Sequence, residues 1–131
     1  MGLCLCVARP TNDINKLLTF YCNGLGFEII YQFHDHEGFD GIMLGKPDCD
    51  YHLEFTSKKG HDAGRAPTQD NLLVFYIPDR IEWENAIQKM VIVRYEPVIS
   101  FNPYWDIQGK TFEDPDRYRV VLQQSAWPPE K

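Results

Sequence analysis

One pattern runs through this chain twice. An apolar strand, a capped amphipathic helix and three shorter strands lead into a polar stretch, after which the same order begins again. In the first pass, Leu3-Cys4-Leu5-Cys6-Val7-Ala8 is apolar on both faces and stops at Pro10. Asn12 or Asp13 caps a helix on which Ile14, Leu17, Leu18, Tyr21 and Leu25 recur at helical spacing, and Gly24 with Gly26 ends it. Strands are predicted over Phe27 to His34, Gly41 to Leu44 and Tyr51 to Thr56, with turns over Asp35 to Asp40 and Gly45 to Asp50. In the second pass Asn71 to Ile77 is the strand. Pro78-Asp79 opens a helix with Ile81, Ala86, Ile87 and Met90 on one side. Strands follow at Glu96 to Ile99, Lys110 to Glu113 and Tyr118 to Gln123, the last entered through the turn Asp114-Pro115-Asp116.

The expected fold is therefore α+β: two tandem βαβββ modules forming a curved mixed sheet, a cup, with helices packed outside. One domain is expected over residues 1–131, with module one at 1–58, a linker at 59–69, module two at 70–124 and a C-terminal tail at 125–131. Composition agrees with a packed domain, since 44% of residues are hydrophobic and 14% aromatic. A net charge of −6 spread along the chain repels phosphate, so neither nucleic acid nor an anionic membrane is an expected partner. The apolar opening Leu3 to Ala8 is too short to span a bilayer and has no basic flank or cleavage site, which points to the cytoplasm. Cys4, Cys6, Cys22 and Cys49 form no CxxC pair and read as free thiols.

The order of "ARPTNDINKLLTFYCNGLGFEIIY", "YHLEFT", "DNLLVFYIPD" and "FEDPDRYRVVL" closely resembles the vicinal oxygen chelate superfamily, which includes glyoxalase I, bleomycin-resistance proteins, fosfomycin-resistance enzymes and extradiol dioxygenases. The resemblance covers nearly the whole chain, and its most specific pieces are "FYCNGLGFE" and the closing "DPDxYxxxL". Two departures stand out. The family commonly has Gly after the DPD turn, where this chain has Arg117, and a Gly after the second helix, where it reads "MVIVRYEPV". Residues there must avoid or tolerate positive φ.

Catalytic members of the superfamily hold a divalent metal with side chains from the first and last strands of each half. Carried over by position, the resemblance places those donors at Cys6, Glu54, Leu72 and Val121, of which Glu54 alone is a good hard-metal ligand. A slip of one residue does not restore a site, because Val120, Leu122, Asn71 and Leu73 take the vacated places. No bound cofactor is therefore expected. The alternative is a divalent metal such as Mn, Fe, Ni or Zn held by Glu54 with His52, or by Glu54 with His34 and His36, although "HDHEGFDG" reads as a solvated turn.

Under the family alternation Cys6, Met43, His52, Glu54, Leu72, Val74, Tyr76, Arg119 and Val121 line the cup, with Glu54 and Arg119 as its charged groups. His52, Glu54 and Thr56 also fit the wet side of a half-buried strand. Tyr104 and Trp105, with Phe101, Tyr31 and Phe33, are placed at the rim. Trp83 reads as a packing residue, and Trp127 in the tail as the cover of a sheet edge. The expected function is binding of a small organic molecule in an apolar cup without a catalytic metal. The alternative is a metal-dependent lyase, isomerase, thiol transferase or dioxygenase in which Glu54 is catalytic. The resemblance also implies a homodimer.

Overall fold

The computed structural model describes residues 2–128. The chain divides into two compact units, Met1–Gly64 and Arg65–Lys131. Among the described residues no helix is long and apolar enough to cross a membrane.

In the first unit the strands are β1 (Leu5–Pro10), β2 (Glu28–His36), β3 (Phe39–Gly45) and β4 (Tyr51–Lys58), and helix α1 (Ile14–Leu18) follows β1. They make one sheet in the order β1-β4-β3-β2, with β1 parallel to β4 and the other neighbours antiparallel. The Asp13 carboxylate caps α1 by accepting the Asn15 N–H at 3.0 Å. The helix then widens into a π-helical turn, Thr19–Gly24, in which the Leu25 N–H reaches back to the Phe20 carbonyl at 3.0 Å. That wider turn lets consecutive Phe20 and Tyr21 both face the sheet, where each is fully buried. Leu17, Phe27, Ile42, Leu44, Leu53 and Phe55 complete the core. On the opposite face Cys6 is exposed, and Met43, His52 and Glu54 are half-buried.

The predicted turn from Asp35 to Asp40 shrinks to Glu37 and Gly38, because both take positive φ (53° and 86°) and close a tight hairpin. The strand consequently runs through His36. The segment after β4 is also held in place. Asn12 donates to Asp62 at 2.9 Å and accepts from the Ala63 N–H at 2.7 Å.

The second unit holds β5 (Leu72–Tyr76), helix α2 (Arg80–Ile92), β6 (Gly109–Glu113) and β7 (Arg119–Gln123), in the sheet order β5-β7-β6 with β5 parallel to β7. The stretch Glu96 to Ile99, predicted as a strand, contributes one isolated bridge, Val98 to Thr111. Pro97 explains this, since it cannot donate to a ladder. Asp79 caps α2 by accepting the Glu82 N–H at 2.9 Å. Ile81 faces solvent at 68% exposure, contrary to expectation. It lies about 180° around the helix from the buried Met90, nine residues on. Trp83 takes its place and donates to the Leu122 carbonyl at 2.8 Å. Trp127 lies tilted against Tyr76 of the edge strand β5, ring centroids 5.6 Å apart. Residues 129–131 of the tail lie outside the described residues.

Both departures from the family glycines are resolved by the backbone. Arg94, just past α2, has φ 75°, and Arg117, after the DPD turn, has φ 71°. Each arginine adopts the left-handed conformation that glycine supplies at no steric cost.

Candidate functional site

Cys6, Met43, His52 and Glu54 share one face of the first unit's sheet, because they stand at alternating positions of three paired strands. The faces of His52 and Glu54 are half-buried, and Cys6 is exposed. The Cys6 thiol donates to Glu54 Oε1 at 3.7 Å, and Cys4 Sγ lies 3.9 Å from His52 Nδ1. Desolvation, then the charge and hydrogen bond of Glu54, then Cys4, push the Cys6 thiol above the ordinary range. The proton therefore stays on sulfur at neutral pH. Cys6 should alkylate slowly with iodoacetamide at pH 7 and faster as pH rises, and Glu54→Gln should speed the neutral-pH reaction several-fold. Peptide-resolved mass spectrometry reads this out, and equal rates in the two proteins contradict it.

The donors implied by the resemblance do not suit a divalent metal. Leu72 and Val121 carry no lone pair, and Cys6 would have to give up a proton that Glu54 stabilises. His34 and His36 do not help. His34 Nδ1 pairs with Asp40 at 2.8 Å and His36 with Glu37 at 3.9 Å, both out in solvent. Among the described residues no three His, Cys, Asp or Glu side chains converge to hold an ion.

In the second unit Leu72, Val74, Tyr76, Arg119 and Val121 share one face, as the register of β5 against β7 requires. Along that face the segment from Ser100 to Trp105 borders a half-open cavity of about 420 Å³. Leu72, Phe101, Pro103 and Trp105 supply apolar walls, and Ser100, Thr111 and Arg119 supply polar groups. Two features hold the segment in place. Ser100 N–H donates to Asp106 Oδ2 at 3.1 Å, and Asn102 Oδ1 caps the 3₁₀ turn Pro103–Asp106 through the Tyr104 N–H at 3.0 Å. Gly109 is required beneath it, since a Cβ there would meet the Trp105 carbonyl at 2.7 Å. Trp105 faces the cavity, while Tyr104 is not among its lining residues and stands 53% exposed, its ring edge-on to Trp105.

Arg119 takes its carboxylate partner from the neighbouring strand. Its Nε–H donates to Glu113 Oε2 at 3.0 Å. Sequence reading does not single out Ser100, Thr111 or Glu113. Alternation along "GKTFE" puts Thr111 and Glu113 on one face, but the pairing of Ser100 with Thr111 needs the chain to fold back.

Two tandem modules of this topology define the vicinal oxygen chelate class. Residues 5–56 match the YycE-like N-terminal domain and residues 70–124 the YycE-like C-terminal domain, so the chain belongs to the YycE-like family. The uncharacterized protein YycE of Bacillus subtilis (strain 168) is 43% identical over 119 residues, 91% of this chain and 86% of the relative. A crystal structure of a YycE protein of unknown function from Bacillus subtilis superposes with a TM-score of 0.87 at 41% identity, over 94% of this chain and 90% of that one. More distant structures share the fold. The trypanothione-dependent glyoxalase I of Leishmania major matches with a TM-score of 0.71 at 16% identity, over 95% and 87% of the two chains. The fosfomycin resistance protein FosX of Listeria monocytogenes, solved with Mn(II) and 1S,2S-dihydroxypropylphosphonic acid, matches with a TM-score of 0.73 at 17% identity, over 97% and 94%.

Proposed function

We propose that this protein binds a small organic molecule and does so without a catalytic metal. The observation that carries the reading is the second unit's cavity, with apolar walls and a few polar groups. Its volume of about 420 Å³ lies in the range of small-molecule pockets. Leu72, which stands at an implied ligand position, is instead part of an apolar wall.

Metal analysis of the purified full chain tests the metal half of the proposal. Transition metal should be well below one equivalent and unchanged by Glu54→Ala. A near-stoichiometric metal, removed by chelator and lost on Glu54→Ala, would establish the metal-dependent enzyme instead. Binding is read from Trp105 fluorescence on titration with small aromatic compounds, with Trp105→Phe as the control that removes the signal.

A further inference from the structure

The floor of the second unit's cavity has more hydrogen-bond donors than acceptors to receive them. Arg119 is 6% exposed and carries five N–H groups in a planar fork. Its Nε–H goes to Glu113 Oε2 at 3.0 Å and an Nη1–H to the Ile99 carbonyl at 3.1 Å, and the Nη2 pair is left over. Ser100 and Thr111, both buried, share one hydrogen bond between their hydroxyls. One of the two hydroxyl hydrogens makes that bond, so the other remains to donate. Thr111 on β6 and Arg119 on β7 stand on the same face of the sheet, and both line the cavity.

Two of the nearby acceptors are already engaged. Asn102 Oδ1 receives the Tyr104 N–H, and the Asp106 carboxylate receives the Ser100 N–H. Asp70 and Gln69 lie at the exposed rim. Glu113 holds the guanidinium through Nε alone, which leaves the Nη side without the second, parallel bond of a bidentate pair. What fits is planar, negatively charged and rich in acceptors, and the part that fits Leu72, Phe101 and Trp105 is a flat or branched hydrocarbon.

We infer that the cavity takes a small organic carboxylate on an aromatic or branched apolar body, its oxygens received by the free Nη groups of Arg119 and the Ser100–Thr111 hydroxyl pair. This rests on the small-molecule reading above and names its ligand class.

The test is a ¹H–¹⁵N NMR titration of the full chain with benzoate, benzamide and benzylamine, which share a ring and differ in the polar group. Benzoate should shift the amides of Ser100, Thr111 and Arg119 saturably, with benzamide about tenfold weaker and benzylamine without effect. Arg119→Gln should abolish the benzoate response. Glu113→Gln removes the competing carboxylate and should tighten benzoate several-fold, a gain that a misfolded variant cannot produce. Benzamide binding at these residues as tightly as benzoate overturns the carboxylate inference and leaves the small-molecule reading standing. No tightening in a folded Glu113→Gln variant also overturns it. Silence from all three probes overturns both.

Discussion

Replacing Tyr21 by alanine should cost about 3–5 kcal/mol, the range for deleting a large buried aromatic ring. Tyr21 is fully buried, with its ring centroid 4.7 Å from Phe20 and 4.9 Å from Phe55. Its hydroxyl accepts a hydrogen bond from Arg9 Nη2 at 2.6 Å, and the same guanidinium lies 5.8 Å from the ring centroid. The alanine therefore opens a cavity and removes an acceptor from a half-buried cation. Tyr21→Phe keeps the ring and should lose roughly 1.5–3 kcal/mol, the worth of a hydrogen bond to a charged group. Urea denaturation measures both. A loss under about 1 kcal/mol for the alanine would show that the π-helical turn does not depend on this ring.

The second large effect is expected at the hairpin that carries Arg119. Asp114 is 4% exposed, and its Oδ1 accepts the N–H groups of Asp116 at 2.8 Å and Tyr118 at 3.0 Å. The backbone closes the same turn, Asp114 N–H to the Tyr118 carbonyl at 2.8 Å and Arg117 N–H to the Asp114 carbonyl at 2.9 Å. Asp114→Ala leaves two turn amides without their acceptor, each costing about 1–3 kcal/mol when fully buried, and because Asp116 and Tyr118 are only half-buried a loss in the lower part of that doubled range, roughly 2–4 kcal/mol, is expected. Asp114→Asn retains one carbonyl oxygen and should lose less than half as much. Because Glu113 and Arg119 flank this turn, Asp114→Ala should also weaken ligand binding in the cavity. Urea melts together with the benzoate titration check the two effects. An alanine variant as stable as the aspartate would mean that the turn closes through its backbone bonds alone.

Much of the fold is legible in the residues. Alternation in "YHLEFT" assigns Leu53 and Phe55 to the core, and the Asp13 and Asp79 caps set where the helices begin. What alternation misses is local geometry. The π-helical turn is invisible because an α-helix and a π-turn draw on the same apolar residues, and the wider one seats both Phe20 and Tyr21 in the core. The loss of a strand around Val98 is visible in retrospect through Pro97, which a count of β-branched residues passes over. The extension of β2 through His36 depends on non-glycine residues at positive φ, which sequence propensity disfavours.

The site divides along the same line. That Leu72 and Val121 cannot bind a metal is a property of their side chains and needs no coordinates. That Arg119 and Val121 stand on the same face also follows from strand period, since residues two apart on a strand share a face whatever surrounds them. Tertiary structure alone decided what Arg119 meets. Its partner became Glu113 because an antiparallel hairpin sets the two opposite each other, six residues apart in the chain. Ser100 met Thr111 because the segment after the Val98 bridge folds back over the sheet. Periodicity assigns a residue to a face, but hydrogen-bond partners are chosen by register and chain return, and these are settled when the chain packs.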